Sequence, residues 1–521
     1  MHANQDPNGN DTVDEGLNSN QLLEKAGGYG RMQWYILLYV VICRQGLSFI
    51  LFSLPFSEIV PRLECYDQSS GAFLECTKDQ ICMGDTLIDR NLWRPDFSNY
   101  RSFKNWMTEL ELYCYSDFMI GLLGSVVFIG FALGGIVLKQ SDTFGRKKII
   151  LSGYILACVC SIILYFCKNM YVIYVTLFFS GFSFYKDFCL YIYLLEITPQ
   201  KYQVYVGSVF QSCAAVLSVI PVCLFLILGG ENLQDMFTVG LALSMVSPIM
   251  TFFIPESPKY LYEKKMYPEL RETLSSISAT NRVEMGQYYV KGEVSLESME
   301  LQDRKFVKLN PKTSREISVS PSSNQISESL QTPLINHHKE EFSIVMYLKE
   351  KTRLINFISV VICFCIISFN YYEISFALKY IDGDIYINLL STCISETLGN
   401  FSGSIIQKYF GSRLGMVVCY CLSFLSVLCL LFTTNPGVIV TAVFFGKFFI
   451  SGAFIIAYFI NTEMFCALFI PFSFAVCNFC SRLFTMMAPQ VAEMKPRQIS
   501  IIVFMALLVV ASLCALAIRN R

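Results

Sequence analysis

The sequence predicts an all-α membrane protein whose twelve transmembrane helices form two six-helix pseudo-repeat halves. Composition is the first observation: 54 % of the 521 residues are hydrophobic and 16 % are charged, whereas soluble domains are about 45–50 % apolar and about 25 % charged. The second is a series of twelve apolar stretches, each near the roughly 20 residues that a helix needs to cross a bilayer. The third is a motif that occurs once in each half of the chain.

Short polar turns separate most of the predicted spans. In chain order the spans lie at residues 34–55, 118–139, 149–167, 171–195, 204–228, 236–254, 354–378, 385–406, 414–433, 437–461, 466–489 and 499–517. Residues 1–30 are polar and lack the apolar centre of a cleavable signal peptide, which predicts that the first span itself directs insertion. The segment 1–33 is the expected cytoplasmic N-terminal segment.

Two long polar loops define the predicted domains. The first six-helix half occupies 34–254 and includes a loop at 56–117. A second loop, 255–352, joins it to the second half and short tail at 353–521. Within this second loop the stretch 314–341 is polar, Ser-rich and poor in aromatic residues, which predicts partial disorder.

Basic residues predict that both chain termini lie in the cytoplasm. Lys and Arg in short loops are retained on the cytoplasmic side of a membrane. The short turn after the second span is basic from Arg146 to Lys148, and the tail ends in Arg519 and Arg521. These sites share one side when the number of spans is even. The loop 56–117 is then extracellular or lumenal, and with a plasma-membrane location it is extracellular.

The extracellular loop contains four of the 21 cysteines, and most of the others lie in apolar stretches as small hydrophobic residues. The four are Cys65, Cys76, Cys82 and Cys114. An even number of cysteines in an oxidising compartment predicts two disulfides, with three connectivities open.

A repeated motif supports the division into halves. After the second span the sequence reads DTFGRKK from Asp142, and after the eighth it reads KYFGSR from Lys408. Glu196 ends the fourth span 54 residues after Asp142, and Glu463 ends the tenth span 55 residues after Lys408. Such spacing indicates duplicated halves packed about an axis along the membrane normal.

The order of motifs resembles the major facilitator superfamily, and within it solute carrier family 22, whose members transport organic cations, organic anions and carnitine. The resemblance covers residues 22–490. It is carried by Leu22–Arg31, Thr108-Glu109, the DTFGRK motif, Pro255–Leu261, Asn388–Glu396, Gly446–Phe448 and Thr462-Glu463, together with the cysteine loop.

The resemblance implies a cytoplasmic gate that closes when the halves rock. Its expected residues are Asp142, Gly145, Arg146, Lys147, Glu196 and Glu256, with Arg413 and Glu463 in the second copy. In the family the arginine meets the Glu that ends the fourth helix. Gln203 and Lys408 depart from the family pattern, so we expect the two copies to differ.

Charged residues at membrane depth are candidates for a substrate site, because each costs at least about 2.5–3.5 kcal/mol there. They are Arg44, Lys186, Asp187, Glu373, Glu396, Lys447 and Arg482. Mutual pairing is the alternative explanation, above all for Lys186 and Asp187. By resemblance Glu396 and Arg482 line the cavity, and Tyr371, Tyr372 and Tyr458 supply an aromatic cage.

These observations predict transmembrane transport of a small organic ion by alternating access, in which a zwitterion or an organic anion is favoured over an organic cation. A proton or sodium ion is the expected coupling ion. The open alternatives are a sugar or nutrient proton symporter, and a receptor or scaffold that does not transport. We expect no catalysis, cofactor or metal, and a plasma-membrane location. The net charge of −1 excludes nucleic acid as a partner.

Overall fold

The computed structural model describes residues 17–519 except for several gaps. The gaps are 70, 84–85, 88, 99–101, 204, 208, 211–231, 233, 287, 292–343, 381–384, 434, 467–468 and 497. Most of the predicted fifth span (204–228) lies outside the described residues. The stretch 314–341, predicted to be disordered, lies entirely outside them.

The first half of the chain is helical apart from its cysteine loop. Its described helices are α1 (Ser19–Lys25), α2 (Arg31–Cys43), α3 (Gln45–Ser57), α4 (Trp106–Glu109), α5 (Asp117–Gly134), α6 (Ser141–Phe144), α7 (Arg146–Phe166), α8 (Met170–Phe182), α9 (Tyr185–Glu196), α10 (Gln234–Phe253), α11 (Pro258–Glu263) and α12 (Tyr267–Asn281). The predicted fourth span is therefore two helices, because the chain turns at Ser183 and Phe184. The Ser183 hydroxyl donates to the Ser180 carbonyl at 2.7 Å, a local bond that competes with the helix ladder.

The cysteine loop folds into two small antiparallel sheets. The strands are β1 (Leu63–Asp67), β2 (Ala72–Cys76), β3 (Cys82–Met83), β4 (Thr86–Leu87) and β5 (Trp93–Pro95), with order β2-β1-β5 in one sheet and β3-β4 in the other. Leu63, Ile81, Trp93 and Tyr113 form its buried centre. The two predicted disulfides are confirmed, and their pairing is Cys65 with Cys76 and Cys82 with Cys114.

The second half is helical throughout its described residues. Its helices are α13 (Ile344–Leu348), α14 (Lys351–Ala377), α15 (Ile385–Leu428), α16 (Pro436–Met464), α17 (Ile470–Thr485), α18 (Ala488–Ala492) and α19 (Gln498–Ala517). The long α15 contains the predicted eighth and ninth spans, joined at Gly411, whose φ of 73° and ψ of 167° are not helical. Only glycine adopts this backbone region readily, so Gly411 sets the turn between the two spans.

The helices agree with a bundle of twelve spans. Among the described residues, seven helical segments are long and apolar enough to cross a membrane. One of them, Leu390–Leu431, is 42 residues long and includes two predicted spans. The helices Arg31–Cys43 and Phe237–Phe253 are apolar but shorter. Interrupted spans and the gap at 211–231 account for the difference from twelve.

Close helix contacts repeat between the halves. A Cβ atom on Gly130 of α5 would lie 2.0 Å from the Phe178 carbonyl oxygen of α8. In the corresponding pair of the second half, a Cβ on Gly399 of α15 would lie 2.4 Å from the Phe448 carbonyl oxygen of α16. The absence of a side chain lets each helix pair touch along its backbone, as the predicted duplication requires.

Each half has its own buried core. One large apolar cluster runs from Leu22 to Val290, and a second runs from Tyr347 to Ile518. A much smaller cluster of Phe128, Phe376 and Ala492 joins the halves. Two separately packed units with a limited shared interface can move against each other while their interiors stay intact.

Candidate functional site

A buried ion pair lies near the start of α7. The Arg146 side chain forms a two-pronged contact with Glu196, with Nε–Oε2 at 3.1 Å and Nη2–Oε1 at 3.0 Å. Its Nη1 donates to Asp142 Oδ1 at 2.6 Å. Arg146 and Glu196 are 5 % and 8 % exposed, whereas the side chain of Asp142 is 68 % exposed. The buried fork is therefore the rigid element and Asp142 is its solvent-facing extension.

Glu256 caps the start of the same helix. Its Oε1 accepts from the backbone N–H of Arg146 at 2.9 Å, of Lys147 at 3.1 Å and of Ser257 at 2.9 Å. A carboxylate satisfies otherwise unpaired N–H groups there and meets the positive end of the helix dipole. The Ser257 hydroxyl also donates to Glu196 at 2.7 Å. The start of α7, the end of α9 and the segment after α10 are thus held together.

The second copy of the motif is bonded differently. Glu463 accepts from Gln407 at 2.8 Å, and Arg413 donates to the Leu516 carbonyl. Among the described residues, Arg413 and Glu463 form no ion pair like that of the first copy.

Alanine at Gly145 is expected to weaken this cluster more than alanine at Gly411. Both glycines have a backbone geometry that costs other residues about 1–3 kcal/mol. A Cβ on Gly145 would also lie 2.5 Å from Glu256 Oε2, whereas a Cβ on Gly411 meets nothing described within 4 Å. Thermal unfolding of G145A and G411A in detergent compares the two, and an equal loss would contradict a specific role for the Glu256 cap.

Arg482 lies at the interface between the halves. Its guanidinium stacks over the Phe131 ring of α5, with Cζ 4.1 Å from the ring centre. Its Nη1 is 3.4 Å from the Tyr372 hydroxyl and 3.5 Å from the Ser368 hydroxyl. Arg482 is 7 % exposed, its Nε has no hydrogen-bond partner and no carboxylate pairs with it among the described residues. Tyr458 interacts with it electrostatically.

A second group of polar side chains, Lys447 and Glu396, is connected to the surroundings of Arg482 through the ring of Tyr371. The Lys447 ammonium is 3.3 Å from the centre of the Tyr371 ring and donates to the Tyr371 carbonyl at 2.7 Å. The Tyr371 hydroxyl interacts with Glu396, on which Lys447 also acts electrostatically. The rings of Tyr371 and Tyr372 meet edge to face at 4.9 Å. This contact joins Glu396 and Lys447 to the surroundings of Arg482.

The first half contributes a buried pair. Lys186 Nζ is 3.4 Å from Asp187 Oδ2, and the Asp187 Oδ1 has no partner among the described residues. Lys186 also lies 4.9 Å from the centre of the Phe184 ring. Phe184 packs on Phe131 at 4.5 Å, which connects this pair to the ring beneath Arg482. The structure places Lys186 and Asp187 together, as the pairing alternative expects.

Two further predicted site residues have hydrogen-bond partners outside these groups. Arg44 donates to the Phe210 carbonyl at 2.8 Å and stacks on its ring at 4.2 Å, although it also acts electrostatically on Glu396. Glu373 accepts from Ser500 of α19 and is 3 % exposed. The structure therefore places the Glu373 carboxylate between α14 and α19, two helices of the second half.

A three-charge cluster that the sequence did not predict lies at the end of the bundle that bears the cysteine loop, here named the loop end. Lys379 Nζ is 2.6 Å from Glu58 Oε2 and 2.5 Å from Glu493 Oε1. Tyr380 donates to Glu493. All three charged side chains are at most 5 % exposed. We name Glu58, Lys379 and Glu493 the loop-end charge cluster.

Further contacts between the halves lie at the same end. Gln490 donates to the Phe118 carbonyl at 3.2 Å and to the Ser125 hydroxyl at 3.3 Å. Lys495 pairs with Asp117 at 3.3 Å. The Arg146 cluster at the opposite end, by contrast, consists among the described residues of groups between Asp142 and Ser257, with none from the second half. The halves are fastened to each other at the loop end.

The arrangement is that of a known transporter fold. The chain is similar to a solved structure of the xylose transporter XylE from E. coli in its inward open conformation, with a TM-score of 0.55 and 12 % identity over 93 % of this chain and 95 % of that one. Two helical halves with separate cores, and charged residues buried where they meet, agree with that fold.

Comparison of the amino-acid sequence with protein families identifies the family of this chain. A model of the sugar (and other) transporter family matches residues 92–519, and the chain belongs to that family. It is a family of membrane transporters rather than of enzymes. The all-α membrane fold is thereby confirmed.

Two curated relatives agree with the resemblance to solute carrier family 22. Solute carrier family 22 member 4 of Mus musculus is 22 % identical over 434 residues, covering 80 % of this chain and 68 % of that protein. Organic cation/carnitine transporter 2 of Homo sapiens is 22 % identical over 410 residues, covering 76 % and 65 %. The chain spans about two thirds of the length of both relatives.

Proposed function

We propose that this transporter carries small organic ions that bear a carboxylate, with zwitterions favoured, by alternating access across the plasma membrane. The observation that carries the proposal is Arg482. A buried guanidinium without a carboxylate partner among the described residues is costly unless an anion joins it. Its planar fork suits a carboxylate, which it can bind through two parallel hydrogen bonds.

The neighbouring groups favour a zwitterion over a simple anion. Glu396 and the rings of Tyr371, Tyr372 and Tyr458 can receive a positively charged or quaternary ammonium group through charge attraction and cation–π contact. Lys447 lies over one face of the Tyr371 ring and attracts the carboxylate of Glu396. It therefore compensates part of the negative charge of Glu396. A ligand with both charges would complement Arg482 and Glu396 together.

The gate and the orientation complete the proposal. The halves 34–254 and 353–521 would rock about their shared interface, with both termini and the Arg146 cluster in the cytoplasm and the loop end outside. Opening of the loop end would break the contacts of Lys379 and Gln490 between the halves. A proton or sodium gradient would supply the coupling.

Uptake into vesicles containing the purified full chain tests this function. We expect accumulation of a carnitine-like zwitterion, competition by organic anions, weaker competition by organic cations and none by hexoses. Gradients of protons and of sodium, imposed separately, identify the coupling ion. Competition by hexoses alone would favour the sugar symporter, and absence of uptake for every class would favour a receptor or scaffold.

A further inference from the structure

We propose that the loop-end charge cluster is a proton-binding site, and that the bound proton holds the loop end closed. The proposal rests on the transport function above, because it assigns a role to closure of one side of the protein. It concerns three residues that lie on separate segments: Glu58 just beyond α3, Lys379 just beyond α14 and Glu493 just beyond α18.

The charges of the cluster do not balance when both carboxylates are ionised. Two carboxylates face one ammonium in a site where each side chain is at most 5 % exposed, which leaves one uncompensated negative charge. A buried charge without a partner is strongly unfavourable, whereas one added proton leaves a neutral acid beside a complete ion pair. Like-charged carboxylates that share a site retain a proton for this reason.

The atoms of Glu58 indicate where the proton would reside. Its Oε2 contacts Lys379, but its Oε1 is buried and has no hydrogen-bond partner among the described residues. The carboxylate of Glu493, in contrast, receives Lys379 on Oε1 and the Tyr380 hydroxyl on Oε2. Glu493 therefore has a donor at each oxygen, whereas Glu58 has a described donor at Oε2 alone. The free oxygen of Glu58 is the natural position for the added proton.

The titration of Glu58 agrees with this assignment. Burial raises the pKa of its carboxyl to about 7, with Lys379 opposing the rise and Glu493 adding to it. The other titratable groups that face it are the phenols of Tyr380 and of Tyr174 on α8, and the latter donates to the Met119 carbonyl. Neither phenol ionises near neutral pH, so the proton exchanges at the carboxylates.

Opening of the loop end would expose Glu58 to water and return its pKa to the ordinary range near 4.3. Closure therefore takes up a proton. The closed form gains as the pH falls from above about 7, and this gain levels off below the pKa of the exposed carboxylate. Between one pH unit above and one below a closed-state pKa of about 7, the ratio of closed to open protein should change about tenfold.

Infrared difference spectroscopy of the purified full chain tests proton binding without any assay of transport. We expect the carbonyl absorption of protonated carboxylic acids to change with pH near 7, to lose the part due to Glu58 in E58Q and to keep its full amplitude in D117N. Asp117 is a matched control, because it also pairs with a lysine at the loop end but is 39 % exposed. In E493Q the midpoint should fall, since a neighbouring negative charge has been removed.

The conformational part is measured by the distance between labels placed at Val60 and Met494, exposed residues of the two halves at this end. The closed fraction should rise with acid in the wild type and lose its pH dependence in E58Q. A band unaffected by both E58Q and E493Q, or a closed fraction unaffected by pH, overturns the proposal. Titration and closure as expected, with no uptake of any organic ion, would instead reject the proposed function and leave the proton site standing.

Discussion

Uptake of a carboxylate-bearing substrate is expected to fall about tenfold or more when Arg482 is replaced by alanine. Hydrogen bonds to charged groups contribute roughly 1.5–3 kcal/mol each, and about 1.4 kcal/mol corresponds to a factor of ten. Arg482→Lys keeps the charge but loses the planar fork, so it should restore only part of the uptake. Concentration series in vesicles show whether the loss lies in the apparent affinity, as removal of a binding contact requires.

Arg353 provides a matched control for this variant. It also stacks on an aromatic ring, 4.5 Å from the centre of Tyr347, but its side chain is 39 % exposed and pairs with Glu350 at 2.9 Å. R353A should therefore leave uptake unchanged. Transport of an organic cation without a carboxylate should survive R482A. If R482A reduced uptake of both substrate types equally, Arg482 would be a structural residue rather than a carboxylate ligand.

Much of the fold could be predicted because membrane insertion imposes long apolar runs. The same patterning could not reveal the break in the fourth span, since the interruption at Ser183, where the hydroxyl bonds to the Ser180 carbonyl, lies inside an apolar stretch. The contact of Arg146 with Glu196 was expected because both residues belong to motifs with a known order. The cap supplied by Glu256 needed three-dimensional information, because the carboxylate comes from 110 residues away.

The candidate site, like the fold, could be predicted from the sequence only in part. Glu373 follows the Tyr371-Tyr372 pair in sequence and was grouped with it, yet successive helical residues point about 100° apart. The structure directs its carboxylate to Ser500 instead. Glu58, Lys379 and Glu493 each stand at the end of an apolar run, where charges ordinarily meet water. Only the packing of three separate segments shows that these charges are buried together.

Loss of the Arg146 side chain is expected to be among the most destabilising single changes in the protein. Breaking a buried ion pair by removing one partner costs about 3–5 kcal/mol, because the other charge stays buried and unpaired. Among the described residues, R146A would leave Glu196 with the Ser257 hydroxyl as its one side-chain donor. In the part of the chain that the structure describes, E196A would leave the guanidinium with Asp142 as its one carboxylate partner. Thermal unfolding of each purified variant in detergent measures the effect.

The buried Arg146–Glu196 pair and the exposed Asp142 are expected to differ in how much they contribute to stability. D142N removes a charge that is 68 % exposed, and exposed ion pairs contribute at most about 1 kcal/mol. The double variant R146A/E196A should lose less stability than the sum of the two single losses, because neither charge is then left alone. Additive losses, or a D142N effect as large as that of R146A, would mean that the cluster acts as a set of independent surface contacts. A stable D142N with impaired uptake would assign Asp142 to gate movement, since the buried fork would still hold α7 to α9.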